Sequence, residues 1–314
     1  MRNQEQASAA SPALDKPDSA SQSLAGPALS TLATELPPHL WFGVSAVFHY
    51  LGPAFAVLLF AQVGVLGMAW LRIATAALVF APLTRPWRVL ARADRPTRLL
   101  LVAFGACLAV MNCSFYLALD RLPISLVAAI EFVGTIAVAL VGLRSPRNLA
   151  ALAIAVTGTL LLIDVKWSSD PVGLFWAFLN GALFVAYIVL GHRVAASGAG
   201  AGIAGLGAAM TIAFLVVLPV GFTEAMPAFS APSLLVAAIG VGICSSVIPY
   251  ICDQLAMARL PRASFALMLS LLPLSATLIG IIVLRQVPSL GDCLGIALVV
   301  AGVALHKPAP ERVP

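Results

Sequence analysis

The sequence predicts an all-α polytopic membrane protein with ten transmembrane helices arranged as two inverted five-helix repeats. Three observations lead there. Of 314 residues, 61% are hydrophobic and 10% charged, too little polar surface to clothe a water-soluble globule. Apolar segments of about 18–25 residues, long enough to cross ~30 Å of hydrocarbon, recur between clusters of charge, Pro and Gly. Finally, Ala118-Leu119-Asp120-Arg121-Leu122-Pro123 is echoed 138 residues later by Ala256-Met257-Ala258-Arg259-Leu260-Pro261. An odd number of spans per copy turns the second copy upside down relative to the first. Secondary transporters build a substrate path near the bilayer midplane from such halves.

In order, the spans are expected at 40–60, 64–83, 99–119, 124–143, 147–164, 171–190, 201–221, 233–257, 263–284 and 289–306. The first five make one repeat (40–164) and the last five the other (171–306), with cytoplasmic tails at 1–39 and 307–314. The first 36 residues are rich in Ala, Ser and Pro and lack an apolar core of signal-peptide length, so they read as a disordered tail. Most connections are shorter than about ten residues, which makes consecutive helices antiparallel neighbours and leaves no room for a soluble catalytic domain. The longest are the basic 84–98 loop, the Gly/Ala-rich 192–200 loop and the stretch from Glu224 to Pro232. Gly158 and Gly302 hold similar places in the fifth and tenth spans, a second echo of the duplication.

Loop charge sets the orientation. Arg2, Lys16, Arg85, Arg88, Arg92, Arg95, Arg98, Arg144, Arg147, Arg193, Arg259, Arg262, Lys307 and Arg312 fall on the side of the termini. Only Arg121, Lys166 and Arg285 fall on the other, and Arg72 lies inside the second span. Both termini are therefore expected in the cytoplasm. The net charge of +5 is a topology signal, not the mark of a nucleic-acid partner.

The partners to expect are the lipid bilayer, protons and a small-molecule substrate; the oligomeric state is left open. The five cysteines show no metal-ligand spacing and read as packing residues, so no metal or cofactor is expected. There is no H-E-x-x-H, no G-x-S-x-G and no pair of carboxylates at depth, which argues against an enzyme. No ring of like residues resembling a channel filter is present.

Glu131 is the leading site candidate. It lies eight residues into the fourth span, roughly 10 Å below the surface and too deep to snorkel. A carboxylate there is expensive by a few kcal/mol, so it points to a proton carrier or a counter-ion for a substrate ammonium, against the alternative of a protonated structural Glu. Asn112 and Tyr116 are four apart in the third span and share a face, as do Ser246 and Tyr250 in the eighth. At the 138-residue offset Asn112 and Tyr250 are equivalent, as a central site between inverted halves requires. Tyr50 and Tyr187, 137 apart, are expected to face one another, with His49 and Asn180 as further candidates. Each of these side chains could instead serve an interhelical hydrogen bond.

Arg72 could hold a substrate carboxylate in a bidentate fork, or anchor its helix near the outer surface. Asp120, Arg121, Asp253 and Arg259 lie near span ends and read as gating or interfacial charges. Pro249 and Pro273 interrupt backbone hydrogen bonding within spans and mark hinges.

From Leu40 to His306 the chain resembles the drug/metabolite transporter superfamily, in its EamA-type branch, nearest to the threonine and homoserine exporters. The resemblance rests on Leu71-Arg72-Ile73-Ala74 leading to Arg85-Pro86-Trp87-Arg88, on Met111-Asn112 with Phe115-Tyr116-Leu117, on Ala129-Ile130-Glu131-Phe132, and on Ile248-Pro249-Tyr250 followed by Arg259-Leu260-Pro261. It implies an inner-membrane exporter of small amino acids or related metabolites, driven by proton antiport, with efflux of a drug or amphipathic metabolite as the alternative. Relatives often carry a Glu before the ninth-span Pro and a Gly-Glu pair at its end, where this chain has Leu272-Pro273 and Arg285-Gln286.

Overall fold

The computed structural model describes residues 36–141, 145–167, 170–196, 199–260, 265 and 271–305. The expected tails therefore lie almost wholly outside the described residues, as does the start of the ninth span. Among the described residues all regular structure is helical. In chain order the helices are α1 (Pro38–Val63), α2 (Val65–Thr84), α3 (Pro86–Arg92), α4 (Arg95–Leu119), α5 (Ile124–Val141), α6 (Pro146–Trp167), α7 (Pro171–Ala195) and α8 (Ala199–Ser230). Then come α9 (Pro232–Gly242), a π-helical turn (Ile243–Val247), α10 (Ile248–Met257), α11 (Leu271–Leu284) and α12 (Leu290–Leu305).

Among the described residues six helical stretches are long and apolar enough to cross a membrane: Leu40–Val63, Val65–Thr84, Arg95–Leu119, Pro171–Ala195, Ala201–Ser230 and Pro232–Met257. Ile124–Gly134, Leu272–Leu284 and Leu290–Gly302 are shorter apolar helices. Large apolar side chains such as Leu78, Val236 and Ile282 lie exposed on the outside of the bundle, the surface that lipid covers. The chain is a multi-pass membrane protein.

Local chemistry sets the ends. Asp94 caps α4 by accepting the Thr97 N–H at 3.1 Å, and Asp170 caps α7 through Gly173 at 2.8 Å. Gly64, at φ 81°, makes the sharp turn from α1 to α2. Where α2 starts without a side-chain cap of its own, Glu224 of α8 supplies one from across the bundle. Its Oε2 accepts the N–H groups of Leu66 at 3.0 Å and Gly67 at 3.1 Å.

Three sequence expectations change. The 84–98 loop contains helix α3, entered through Arg85 in a left-handed conformation (φ 48°). The loop expected around Glu224 to Pro232 shrinks to Ala231, because α8 continues through Pro219 and Pro227 to Ser230. Pro219 is thus inside a helix, tolerated because the surrounding bundle compensates for the lost backbone bond. The eighth span is also not one continuous α-helix, since the π turn divides it just before Pro249.

Packing crosses between the two parts of the chain. Helix α2 lies along α8, α6 along α12, α4 against α7, and α10 against α1; α5 rests on α7 as α11 rests on α1. Glycines set the closeness. A Cβ on Gly158 of α6 would sit 2.6 Å from the Gly295 carbonyl of α12, and one on Gly302 would sit 2.6 Å from the Ala151 carbonyl. Because the contact moves back along α6 as it advances along α12, this pair is antiparallel.

Candidate functional site

Where α1, α2, α4, α5, α7, the π turn and α10 converge, a polar cluster is enclosed in an otherwise apolar interior. It contains two carboxylates and one guanidinium. Glu131 of α5 is 2% exposed and accepts one hydrogen bond on each oxygen, from Tyr50 Oη of α1 at 2.6 Å and Asn180 Nδ2 of α7 at 2.6 Å. Asp253 of α10, also 2% exposed, is built the same way. Ser45 Oγ of α1 donates at 2.5 Å and Tyr187 Oη of α7 at 2.7 Å.

Arg72 of α2 is 2% exposed and donates Nε to Ser246 Oγ at 2.7 Å and Nη2 to the Ser245 carbonyl at 2.7 Å. A second, longer contact joins Nη2 to Tyr250 Oη at 3.5 Å. The Ser245 carbonyl is free for this because Pro249, four residues on, has no N–H to give it. Gly52 of α1 makes room: a Cβ there would come within 2.6 Å of the Ser245 side chain. Arg72 Nη1 is buried without a hydrogen-bond partner. The guanidinium carbon stands 5.2 Å from the Tyr116 ring centre and 6.0 Å from that of Phe115, within cation–π range.

Tyr250 Oη donates to Asn112 Oδ1 at 3.3 Å, and Asn112 Nδ2 donates to the Leu108 carbonyl at 2.7 Å. Aromatic rings surround these groups. Tyr187 stacks between Phe104 at 5.8 Å and Phe184 at 5.7 Å, and His49 meets Tyr50 at 5.2 Å and Phe184 at 5.6 Å.

The structure thus brings together Glu131, Asn112, Tyr116, Tyr250, Ser246, Tyr187, Tyr50, His49 and Arg72. Tyr50 and Tyr187 each face a carboxylate rather than each other. Two expectations are corrected. Arg72 does not anchor α2 near the outer surface, because the π-turn carbonyl and Ser246 hold it in the interior. Asp253 is not an end-of-span charge: it lies three residues beyond Tyr250 on the same helix face, and Ser45 and Tyr187 draw it into the core. With Glu131 it makes a pair of carboxylates at depth, where the sequence pointed to Glu131 alone.

Asp120, Arg121 and Arg259 do lie at helix ends. Arg121 pairs with Asp170 at 3.3 Å on an exposed surface, and Arg259 donates to the Leu36 carbonyl. The Gly173 N–H, and after it Arg121, hold the Asp170 carboxyl below the usual carboxylate range. Pro249 follows the π turn with Ile248 between them, and Pro273 sits in the first turn of α11 as described.

Sequence reasoning passed over Ser45, Ser245 and the role of Asp253. Asp253 continues the Ser246–Tyr250 stripe at i+7 and i+3, a signal already in the sequence. Among the described residues no group of His, Cys, Asp and Glu is placed to hold a metal ion, and the five cysteines are free thiols.

The chain is similar to known proteins over most of its length. Residues 171–306 match the EamA-like transporter family. The chain is 32% identical over 238 residues to the threonine/homoserine exporter RhtA of Salmonella typhimurium (strain LT2), covering 75% of this chain and 79% of the relative. To the threonine/homoserine exporter RhtA of Escherichia coli (strain K12) it is 31% identical over 253 residues, covering 80% and 84%. A protein of known crystal structure shares the fold with a TM-score of 0.59 at 18% identity, covering 85% of this chain and 96% of that one. Extended similarity to named exporters, together with the family match, identifies the chain: it belongs to the EamA-like transporter family.

Proposed function

We propose that this protein exports a small amino acid of the threonine or homoserine type across the cytoplasmic membrane in exchange for protons. The observation that carries this reading is a buried guanidinium and a buried carboxylate in one cluster, not paired with each other. Arg72 Nη1 has no hydrogen-bond partner, and Glu131 is met only by the neutral donors Tyr50 and Asn180. A zwitterionic amino acid supplies both missing charges. Its carboxylate fits Arg72 and its ammonium Glu131, with Tyr116, Ser246, Tyr250 and Asn112 offering further polar contacts between them. The names of the relatives agree with this substrate class.

Helices α4 on α7 and α10 on α1, with α5 on α7 and α11 on α1, are the pairings expected of two inverted five-helix halves, 40–164 and 171–306. Alternating access then follows by rocking the halves about the cluster, with Pro249 and Pro273 as hinges. Arg121–Asp170 and Arg259–Leu36 are contacts that change between the two facing states. The excess of basic residues in the loops on the side of the termini supports cytoplasmic termini. In the cycle, Glu131 releases its proton to the cytoplasm as the substrate ammonium arrives. The halves rock, and external protons displace the amino acid outward.

The aromatic shell of Phe104, Phe115, Phe184 and Tyr187 favours a second reading, efflux of an amphipathic metabolite. Uptake of labelled threonine and homoserine into everted vesicles under an imposed inside-acid gradient decides between them. Saturable uptake competed by small amino acids supports the first. Uptake competed only by dyes replaces it with the second.

A further inference from the structure

Glu131 and Asp253 have the same construction, and the mechanism above uses only one of them. Each carboxylate takes one donor from α1 and one from α7: Tyr50 and Asn180 for Glu131, Ser45 and Tyr187 for Asp253. The two sites do not share a donor. Because α1 contributes Ser45 before Tyr50 while α7 contributes Tyr187 after Asn180, the two helices run antiparallel through both sites. Five residues of α1 and seven of α7 separate the two levels, roughly 7–11 Å along the helix axes. Asp253 stands at the level nearer the start of α1, and Glu131 at the middle of the same helix.

Charge makes the second carboxylate difficult to explain as packing. The cluster holds one buried cation, Arg72, whose hydrogen bonds go to Ser246, Ser245 and Tyr250 and to neither carboxylate. Among the described residues no Lys or Arg forms an ion pair with Asp253. The titratable groups that meet it are Tyr187 of α7 and Tyr250 and Cys252 of its own helix; Cys107 of α4 stands beside Tyr187, and His49 of α1 lies one turn beyond Ser45. Helix α8 carries one acidic or basic side chain, Glu224, which is committed to the start of α2, and the π turn carries only Cys244. An unpaired carboxylate closed off at this depth costs several kcal/mol unless a proton neutralises it, and a purely structural position is served as well by Asn.

We propose that Asp253, held by Ser45 and Tyr187, is a second proton-exchange site worked in the same cycle as Glu131, so that two protons rather than one cross for each substrate. Each carboxylate oxygen pair takes up one proton from one side of the membrane and returns it to water on the other. The net charge of the closed core changes by two between loaded and unloaded forms. This rests on the proton-exchange reading above.

The test uses full-length protein in proteoliposomes with the membrane potential clamped to zero, and threonine as the probe. The logarithm of the steady accumulation ratio is measured against the imposed pH difference, and its slope counts protons per threonine. A slope of two in wild type that falls to one in Asp253→Asn is expected. A wild-type slope of one, or a slope still at two in Asp253→Asn, overturns the second site and leaves exchange at Glu131 standing. A wild-type slope of zero removes the proton-antiport reading itself.

An infrared pH titration of the protonated-carboxyl stretch, on purified protein in lipid, needs no substrate and judges Asp253 separately. Asp253→Asn and Glu131→Gln are each expected to remove a different titrating component. If Asp253→Asn removes none, the proposal fails. Should that variant not fold, Ser45→Ala and Tyr187→Phe keep the carboxyl and must shift its component; an unshifted titration in both overturns the proposal.

Discussion

Tyr250 and Asn112, 138 residues apart in the chain, meet in the interior, the tyrosine hydroxyl donating to Asn112 Oδ1 at 3.3 Å. That separation is the offset at which the hexad around Arg121 is echoed around Arg259. Tyr250→Phe removes the donor while keeping the ring. The expected result is a stability loss of about 1 kcal/mol or less, with a larger drop in threonine transport than in thermal stability, read from a melting curve beside a vesicle assay.

Arg72 acts as a fork, and a point charge cannot replace it. Arg72→Lys keeps the charge but cannot bridge Ser246 and the Ser245 carbonyl while offering a third donor. Substrate affinity is expected to fall about tenfold or more, equivalent to ~1.4 kcal/mol, in a threonine binding titration. Unchanged affinity in this variant would remove Arg72 from the substrate site.

Two glycines give opposite expectations for the same substitution. Gly158→Ala drives a methyl group into the Gly295 carbonyl and must part α6 from α12, at a cost of roughly 1–3 kcal/mol. Gly43→Ala meets nothing within 4 Å, and the melting temperature is expected to hold or rise slightly. Melting of both variants in the same detergent checks the pair.

Asp170 gives a pH dependence with a definite sign. The Gly173 N–H and Arg121 depress its carboxyl in the folded state, so its contribution is complete above the unfolded value, about 3.9, and is lost as pH falls through the folded one. The melting-temperature difference between wild type and Asp170→Asn is expected to be constant near neutrality and to shrink below about pH 4. Asp94, lowered by its hydrogen bonds from Thr97, behaves alike.

What the sequence made legible follows from depth and period. Glu131 stood out because an apolar run contains one acid, and the faces Asn112–Tyr116 and Ser246–Tyr250 followed from helical spacing. Asp253 was misplaced because a charge near the end of an apolar segment looks interfacial until the neighbouring helices are known; Ser45 and Tyr187 come from α1 and α7, more than 60 residues away in the chain. Arg72 was left between two roles, interior fork and outer anchor, for a related reason. Its partner, the Ser245 carbonyl, receives no N–H from Pro249 and is reached from a distant helix, a contact that no local pattern encodes. The π turn and the long α8 escaped notice because proline ends helices in water, whereas a surrounding bundle absorbs it.

Glu131 is proposed to join proton movement to amino-acid movement, and threonine transport by Glu131→Gln in everted vesicles, with and without an inside-acid gradient, tests that coupling. Gradient-driven accumulation is expected to disappear in protein that still melts as wild type does. Accumulation that persists at the wild-type level and still collapses with the gradient would contradict it.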